Sequence, residues 1–493
     1  MGIAIDPQQL ERLVAEVVRQ VQAEASPAPR PQAPAPRPQA PTPAPAPAPV
    51  EPASGVFATV DEAFAAAEKS YREYTAVSLH RRRGLLEAMR QAAIAEAESL
   101  ARQAVEETGL GRVEDKIQKN LLAAKKTPGI EDLTPLVFTG DDGLTLVEPG
   151  PFGVVGAITP TTNPAATIIN NAISIVAAGN AVVFNPHPSA RRVSNRTVAL
   201  LNHAIRGAGG PACLLASLAE PSLESSEALM KHPGIRLLLV TGGGAVVKLA
   251  MQSGKRCIAA GPGNPPVIVD DTAVLARAAR CIVDGASFDH NVLCTAEKEV
   301  FVFENVADEL LQEMVGAGAY LARGAEIEAL TRALVEPAAG PGGLPHPQKK
   351  FVGKGAAVLL EAAGIRPGRE VRLVICETAF EHPLVQAEML MPILPVVRVR
   401  DLEEALRKAK AAEHGYRHSA YMHSESVSNM SRVARDIETT IFVKNAPSYA
   451  GLGFGGEGHC TLSIAGPTGE GLTSARSFTR QRRCVLAGAF RIV

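Results

Sequence analysis

The sequence lacks an excess of charge of either sign: 50 lysines and arginines stand against 51 acidic residues, a net charge of −1. Without a basic surplus there is no electrostatic footprint for nucleic acid. Long hydrophobic runs are missing as well, since none reaches the ~18 residues of a membrane span. Cysteine is sparse, and the odd count of seven fits reduced thiols rather than a disulfide framework. Cys213, Cys257, Cys281, Cys376, Cys460 and Cys484 show no metal-ligand spacing, so no metal is expected. What is present is 46% hydrophobic, enough for a packed core. At roughly 150 residues per domain the length suggests two or three domains. Composition therefore indicates a soluble, intracellular, globular protein.

The N-terminus stands apart. Asp6-Pro7 followed by Gln9 is a helix start, with Asp as cap and Pro at the first helical position. Leu10, Leu13, Val14, Val17, Val18 and Val21 then form one apolar stripe. Glu11, Arg12, Glu16 and Arg19 lie off that stripe, and the mixed charges argue against a secretory signal or a membrane-surface helix. From Ser26 to Ser54 the composition collapses to Pro and Ala, an extended spacer of up to roughly 80 Å. Residues 1–25 read as a docking helix for a partner's groove, and 26–54 as its tether. The alternative is a helix folded back on its own body, for which so long a tether is unnecessary.

In the body, 61–126 reads as helical. Leu144–Val147, Gly153–Ile158, Ala181–Phe184 and Arg236–Thr241 read as strands, with helices over Thr167–Ala177, Ser194–Arg206 and from Ala245. The texture continues with strands at Val267–Val269, Glu299–Phe303, Arg372–Cys376 and Leu394–Val399. Helices are expected over Ala273–Asp284, Ala307–Gly318 and Leu402–Ala411. Alternating strands and helices predict parallel sheets covered by helices, in two α/β domains with a cleft between them.

Three motifs bear on chemistry. Gly451–Gly456 fits G-x-G-x-x-G only nominally; with no strand before it and no helix after it, it reads as a glycine-rich loop. Thr241-Gly242-Gly243-Gly244 lies between a strand and a helix start. It suits either a phosphate at a helix N-terminus or a tight turn that needs glycine for steric reasons. Cys294 ends a polar stretch just before a strand, although a lone cysteine is more often a small buried residue than a nucleophile.

Gly153–Pro164 (GVVGAITPTTNP), Ala177–Pro186 (AAGNAVVFNP), VTGGG, the Cys294 segment and Glu388–Pro395 (EMLMPILP) together resemble the aldehyde dehydrogenase superfamily. Asn445–Val485 is more specific, and is similar to the coenzyme A-acylating aldehyde dehydrogenases of bacterial microcompartments, which act on propionaldehyde or acetaldehyde. The resemblance covers about nine-tenths of the chain. It implies two Rossmann-like domains: a cofactor domain over 55–264 with an oligomerisation arm at 136–150, and a catalytic domain over 265–444. Residues 445–493 would return to the cofactor domain and end in an oligomerisation tail.

By the same resemblance, Cys294 is the nucleophile and Asn163, with the Cys294 backbone N–H, forms the oxyanion hole. Thr159, Pro160 and Thr161 line the nicotinamide end of NAD, Thr241, Gly242 and Gly243 its pyrophosphate, and Glu388 the nicotinamide ribose. Asn185 replaces a lysine that contacts the adenosine ribose, which leaves NAD versus NADP open. Hydrolytic relatives carry a glutamate base in Glu-Leu-Gly-Gly, 34 residues before the cysteine; here that position is Ala260. Coenzyme A is then the expected acyl acceptor. The implied reaction is aldehyde plus NAD plus coenzyme A to acyl-coenzyme A and NADH, with propionaldehyde favoured over acetaldehyde. The implied setting is a dimer or tetramer in the cytoplasm, inside a microcompartment, with residues 6–25 docked to a shell or cargo protein. A hydrolytic dehydrogenase and an inactive cargo or scaffold protein are the competing readings. Ala260 speaks against the first, and the Asn163, Cys294 and Glu388 set against the second. His290 is a possible proton acceptor or a more remote histidine, and no base for coenzyme A is evident.

Overall fold

A computed structural model describes residues 54–338, 340 and 343–493. The docking helix expected at 6–25 and the tether up to residue 53 lie outside the described residues. The stretch expected to be helical over 61–126 is four helices: α1 (Val60–Thr75), α2 (Leu79–Ala95), α3 (Ala97–Thr108) and α4 (Val113–Lys126). Periodicity ran across the joints: a hydroxyl caps the start of α1 and of α2, while α3 and α4 begin without a side-chain cap. The Thr59 hydroxyl accepts from the Glu62 N–H at 3.2 Å, and the Ser78 hydroxyl accepts from that of Arg81 at 3.4 Å.

The first sheet is built from β1 (Val56–Phe57), β4 (Val154–Thr159), β5 (Ala181–Pro186), β6 (Leu215–Leu218), β7 (Ile235–Thr241) and β8 (Arg256–Ala260). All pairings are parallel, in the order β1-β6-β5-β4-β7-β8. β4 and β5 are buried at every residue, as their near-continuous apolar sequences require of strands covered on both faces. The crossovers run through α5 (Pro164–Ala177), α6 (Arg191–Gly207), α7 (Leu223–Lys231) and α8 (Gly244–Gln252). α5 is buried at all its positions, and its polar Asn170 is matched by Thr127 and by backbone at Cys460 and Leu462.

The chain passes to the second sheet between Ala260 and Pro266. Its strands are β9 (Pro266–Val269), β10 (Glu299–Phe303), β11 (Ala319–Ala322), β14 (Leu373–Glu377), β15 (Ile393–Val399), β16 (Ser419–His423) and β17 (Ile441–Lys444). They too are all parallel, in the order β11-β14-β15-β10-β9-β16-β17. The helices of this half are α9 (Leu275–Ser287), α10 (Ala307–Gly316), α11 (Ala325–Leu334), α12 (Ala356–Ala362), α13 (Pro383–Gln386), α14 (Leu402–Ala412) and α15 (Val427–Asp436). After β17 the chain returns, and Cys460, Ile464, Ala465 and Phe478 pack in the core of the first sheet. Two-residue pairs, β12 (Val335–Glu336) with β13 (His346–Pro347) and β18 (Ile464–Ala465) with β19 (Gly471–Leu472), close two loops.

A third sheet is antiparallel: β2 (Leu136–Gly140), β3 (Gly143–Pro151) and β20 (Thr479–Ala487), with β3 in the middle. Leu136, Val137, Phe138, Val485 and Leu486 on it are exposed.

In the first sheet β4 has β5 and β6 on one side and β7 and β8 on the other. The winding reverses between β4 and β7, which opens a crevice beyond their carboxyl ends. Thr159 and Thr241 are the last residues of those two strands.

Candidate active site

Asn163 directly precedes α5, whose first residue is Pro164, where a missing N–H costs nothing. An asparagine at a helix cap ordinarily accepts from the first-turn N–H groups. Asn163 makes no such bond. Its Oδ1 instead accepts from the Nζ of Lys119 on α4. Burial lowers Lys119 to about 8, so at pH 7 it is still an ammonium and only donates: Oδ1 faces Lys119, and Nδ2 keeps its two hydrogens for other partners. One goes to Thr162 Oγ1 at 3.2 Å.

Cys294 lies between the tight turn Phe288–Asn291 and β10, half-buried and unbridged. Three consecutive residues in that turn are left-handed: Asp289 (φ 46°), His290 (φ 51°) and Asn291 (φ 64°). Such backbone costs of order 1 kcal/mol per residue and persists only where the surroundings hold it. They do so here. The Asp289 carboxylate accepts from Lys116 Nζ at 3.0 Å, from Lys119 Nζ, and from the Arg112 N–H at 2.6 Å. Asn291 Nδ2 donates to the carbonyls of Ala286 at 2.8 Å and Glu297 at 3.0 Å. Lys298 Nζ donates to the carbonyls of Asn291 at 3.2 Å and Leu293 at 3.0 Å. His290 pairs through Nδ1 with the Gly353 carbonyl at 3.0 Å, and its Nε2 lies against Gly355, so its ring is spent on a neighbouring turn.

The charges converge on the thiol. Burial, then the carboxylate of Glu388, push Cys294 up to about 12, while Lys298 and Lys119 pull the other way. Burial holds Glu388 up to about 7, against Lys298 and a hydrogen bond from the Gly263 N–H. Cys294, Glu388, Lys298 and Lys119 thus form one electrostatic cluster, which Lys119 extends to Asn163. Gly263 is wedged inside it: a Cβ there would lie 2.9 Å from His418 Cγ and 3.1 Å from the Cys294 carbonyl oxygen. His418 is a residue the sequence reading passed over. Burial, then Lys298, hold it down to about 4, so it is a neutral imidazole at pH 7. Its Nδ1 pairs with Ser419 Oγ at 2.8 Å, and its Nε2 is buried without a partner. The signal was weak, because a histidine in an unassigned stretch reads as an ordinary core residue.

The crevice over the first sheet collects the other expected residues. Thr159 and Thr161, either side of Pro160, carry buried hydroxyls with no partner. Thr241 Oγ1 pairs with Ser463 Oγ at 2.7 Å, and the Gly242 N–H with the Ala260 carbonyl at 3.1 Å. A Cβ on Gly242 or Gly243 would meet no atom within 4 Å, and neither has a positive φ. The steric reason for glycine is therefore absent at this turn, which leaves open space before the N-terminus of α8. Orphaned hydroxyls and an open helix end fit a polar, phosphate-bearing nucleotide. Asn185 is tied to α7, through Ser225 at 2.8 Å and Ser226 at 2.6 Å. Ala260 is buried at the end of β8. The Gly451–Gly456 run begins within the 3-10 turn Ser448–Leu452 and leads into no helix. Among the described residues no cluster of acidic, histidine or cysteine side chains could hold a metal, and no helix is long and apolar enough to cross a membrane.

The model of the aldehyde dehydrogenase family matches residues 46–481. This chain belongs to that family. It falls in the coenzyme A-acylating branch that includes microcompartment enzymes. The chain is 50% identical over 451 residues to the acetaldehyde dehydrogenase (acetylating) EutE of Salmonella typhimurium, covering 90% of this chain and 96% of that protein. Two solved structures are 48% identical, with a TM-score of 0.86, over 89% of this chain and all of theirs. One is a Rhodopseudomonas palustris propionaldehyde dehydrogenase with bound coenzyme A and an acylated cysteine. The other is a propionaldehyde dehydrogenase from the fucose utilisation microcompartment of Clostridium phytofermentans.

Proposed function

We propose that this aldehyde dehydrogenase converts a short aldehyde, NAD and coenzyme A into acyl-coenzyme A and NADH, with Cys294 as nucleophile. The observation that carries the reading is the cluster that joins Cys294 to Asn163 through Lys119 and to Glu388 through charge.

Cys294 Sγ attacks the aldehyde carbonyl carbon and forms a thiohemiacetal. The oxygen that gains charge is stabilised by Asn163 Nδ2 and the Cys294 N–H, donors that need no reorganisation. NAD, when bound, supplies the hydride acceptor. Thr159, Pro160 and Thr161 would hold its nicotinamide end, Glu388 its ribose, and Thr241, Gly242 and Gly243 its pyrophosphate. The acyl group is then a thioester on Cys294. A methyl group at Ala260 activates no water, and the thiol of coenzyme A takes the acyl group, restoring the Cys294 thiol.

Propionaldehyde is the preferred substrate in this reading, and acetaldehyde is turned over too, because one methylene is worth only ~1–3 kcal/mol of discrimination. The exposed apolar residues of β2 and β20 support a dimer or tetramer, since a free three-stranded sheet with such edges invites pairing with another copy. We place the enzyme inside a bacterial microcompartment in the cytoplasm, tethered to a shell or cargo protein through residues 6–25.

The test is NADH formation from propionaldehyde and NAD, with and without coenzyme A, on wild type and Cys294→Ala. Turnover should require coenzyme A and vanish in the variant. Steady NADH without coenzyme A, with free acid accumulating, would overturn acyl transfer.

A further inference from the structure

Lys119 and Asp289 come from opposite halves of the molecule and meet beside the reacting groups. Lys119 lies on α4, 3% exposed. Asp289 is fully buried, in the left-handed turn that leads to Cys294. Lys119 Nζ spans the two sides, donating to Asp289 Oδ2 and to Asn163 Oδ1. Lys116, one turn earlier on α4, donates to the same Oδ2 and to the Thr162 carbonyl, each at 3.0 Å.

A buried ion pair of this kind is a poor device for stability alone, because desolvation consumes most of the attraction. It is a good device for fixing geometry. Asn163 has given up the capping bond that its position offers, and its other partner, Thr162 Oγ1, is a hydroxyl that can donate or accept and so does not decide which end of the amide faces it. Without Lys119 the amide could turn over and present Oδ1, an acceptor, where an anion must be bound.

We propose that Lys119, held by Asp289, is a positioning residue: it locks the Asn163 amide so that Nδ2 faces the oxygen of the Cys294 adduct. The proposal rests on the reading of Cys294 as nucleophile and Asn163 as oxyanion donor. It adds that the oxyanion hole is assembled across the cleft, and that the turn carrying Cys294 and the start of α5 are set by one ammonium.

The test uses the full-length enzyme. Wild-type turnover of propionaldehyde, NAD and coenzyme A comes first; if there is none, the functional reading fails and Lys119 is not at issue. Given activity, Lys119→Met, Asn163→Ala and the double variant are compared by kcat and by KM for propionaldehyde. They are also compared by the rate of p-nitrophenolate release from p-nitrophenyl propionate, which acylates Cys294 without hydride transfer or coenzyme A. Lys119→Met should lower kcat and the release rate by about 10–100-fold, approaching the loss of an oxyanion donor. KM should move by less than about threefold. The double variant should be no worse than Asn163→Ala, and Lys119→Arg, which keeps the donors, should recover most of the rate.

Asp289→Asn is the second route should Lys119→Met fail to fold, because asparagine tolerates a left-handed backbone. It should show the same loss, again masked by Asn163→Ala. Wild-type rates in Lys119→Met or Asp289→Asn, or losses that multiply with Asn163→Ala, would overturn the proposal.

Discussion

Lys298 Nζ donates to the backbone carbonyl of Leu293 at 3.0 Å, so the residue before Cys294 is pinned by one four positions after it. The same ammonium holds the carbonyl and side-chain oxygens of Asn291. One buried cation thereby closes the loop that carries the thiol and lends it positive charge.

Lys298→Met keeps the stem and removes the donors. Two buried carbonyls lose a partner, at about 1–3 kcal/mol each. Cys294 and Glu388 lose their opposing charge, so both pKa values move further up. The expected outcome is a shorter half-life of thermal inactivation and a kcat at least about tenfold lower. A variant as active and as durable as wild type would count against the pinning role.

The thiol itself should show its surroundings. With a pKa of about 12, Cys294 is overwhelmingly protonated at neutral pH without ligands. Inactivation by iodoacetamide should then accelerate close to tenfold per pH unit from 7 to 10, without a plateau. Glu388→Gln removes a negative neighbour and lowers the thiol pKa. Alkylation of that variant should be several-fold faster at pH 8, while its hydride transfer becomes slower. A plateau below pH 9 in wild type would show that the thiol is not so perturbed.

Gly111 is a packing requirement of the same site. It has φ 76°, and a Cβ there would lie 2.0 Å from Asp289 Oδ1. Gly111→Ala must therefore displace either the 109–112 turn or the carboxylate that holds Lys116 and Lys119. A loss of about 2–4 kcal/mol in stability is expected, together with reduced turnover. Thermal inactivation and kcat measured on the same preparation would check both.

His418 should make the fold sensitive to acid. Its folded pKa is about 4, below its ordinary 6.5, so between those values only the unfolded chain binds the proton. Above pH 6.5 it carries no penalty, and stability is lost as pH falls from 6.5 to 4, by up to about 3 kcal/mol. Glu388 works oppositely: its raised folded pKa favours the fold as pH falls from 7 toward its ordinary value of 4.5. The sum is therefore uninformative, and the comparison to make is wild type against His418→Gln. Relative to wild type, the variant should gain stability steadily from pH 7 to 4. A difference independent of pH would show that His418 is not held neutral.

The sequence alone carried the α/β class and three of the six strands of the first sheet, β4, β5 and β7, because buried parallel strands leave a direct trace: short apolar runs such as Val154–Thr159 and Ala181–Pro186, bounded by Gly, Pro and Asn. It also determined that Ala260 is no carboxylate, and it carried the family resemblance in its motifs. It did not show the joints between α1, α2, α3 and α4, because the helical period continues across them and only the α1–α2 joint carries a hydroxyl cap. It missed β16 and β17, since Ser419–His423 mixes polar residues into a wholly buried strand. Only the folded chain shows that Lys116 and Lys119, on a stretch read simply as helical, are buried against Asp289, 173 and 170 residues away in sequence. Only it gave His418 a place beside Gly263, and showed that the Gly242–Gly243 turn has open space in front of it. The physical reason is the same in each case. Periodicity and local caps are written in near neighbours along the chain. The partner of a buried charge and the free end of an amide are set by residues that meet only when two sheets close around one cleft.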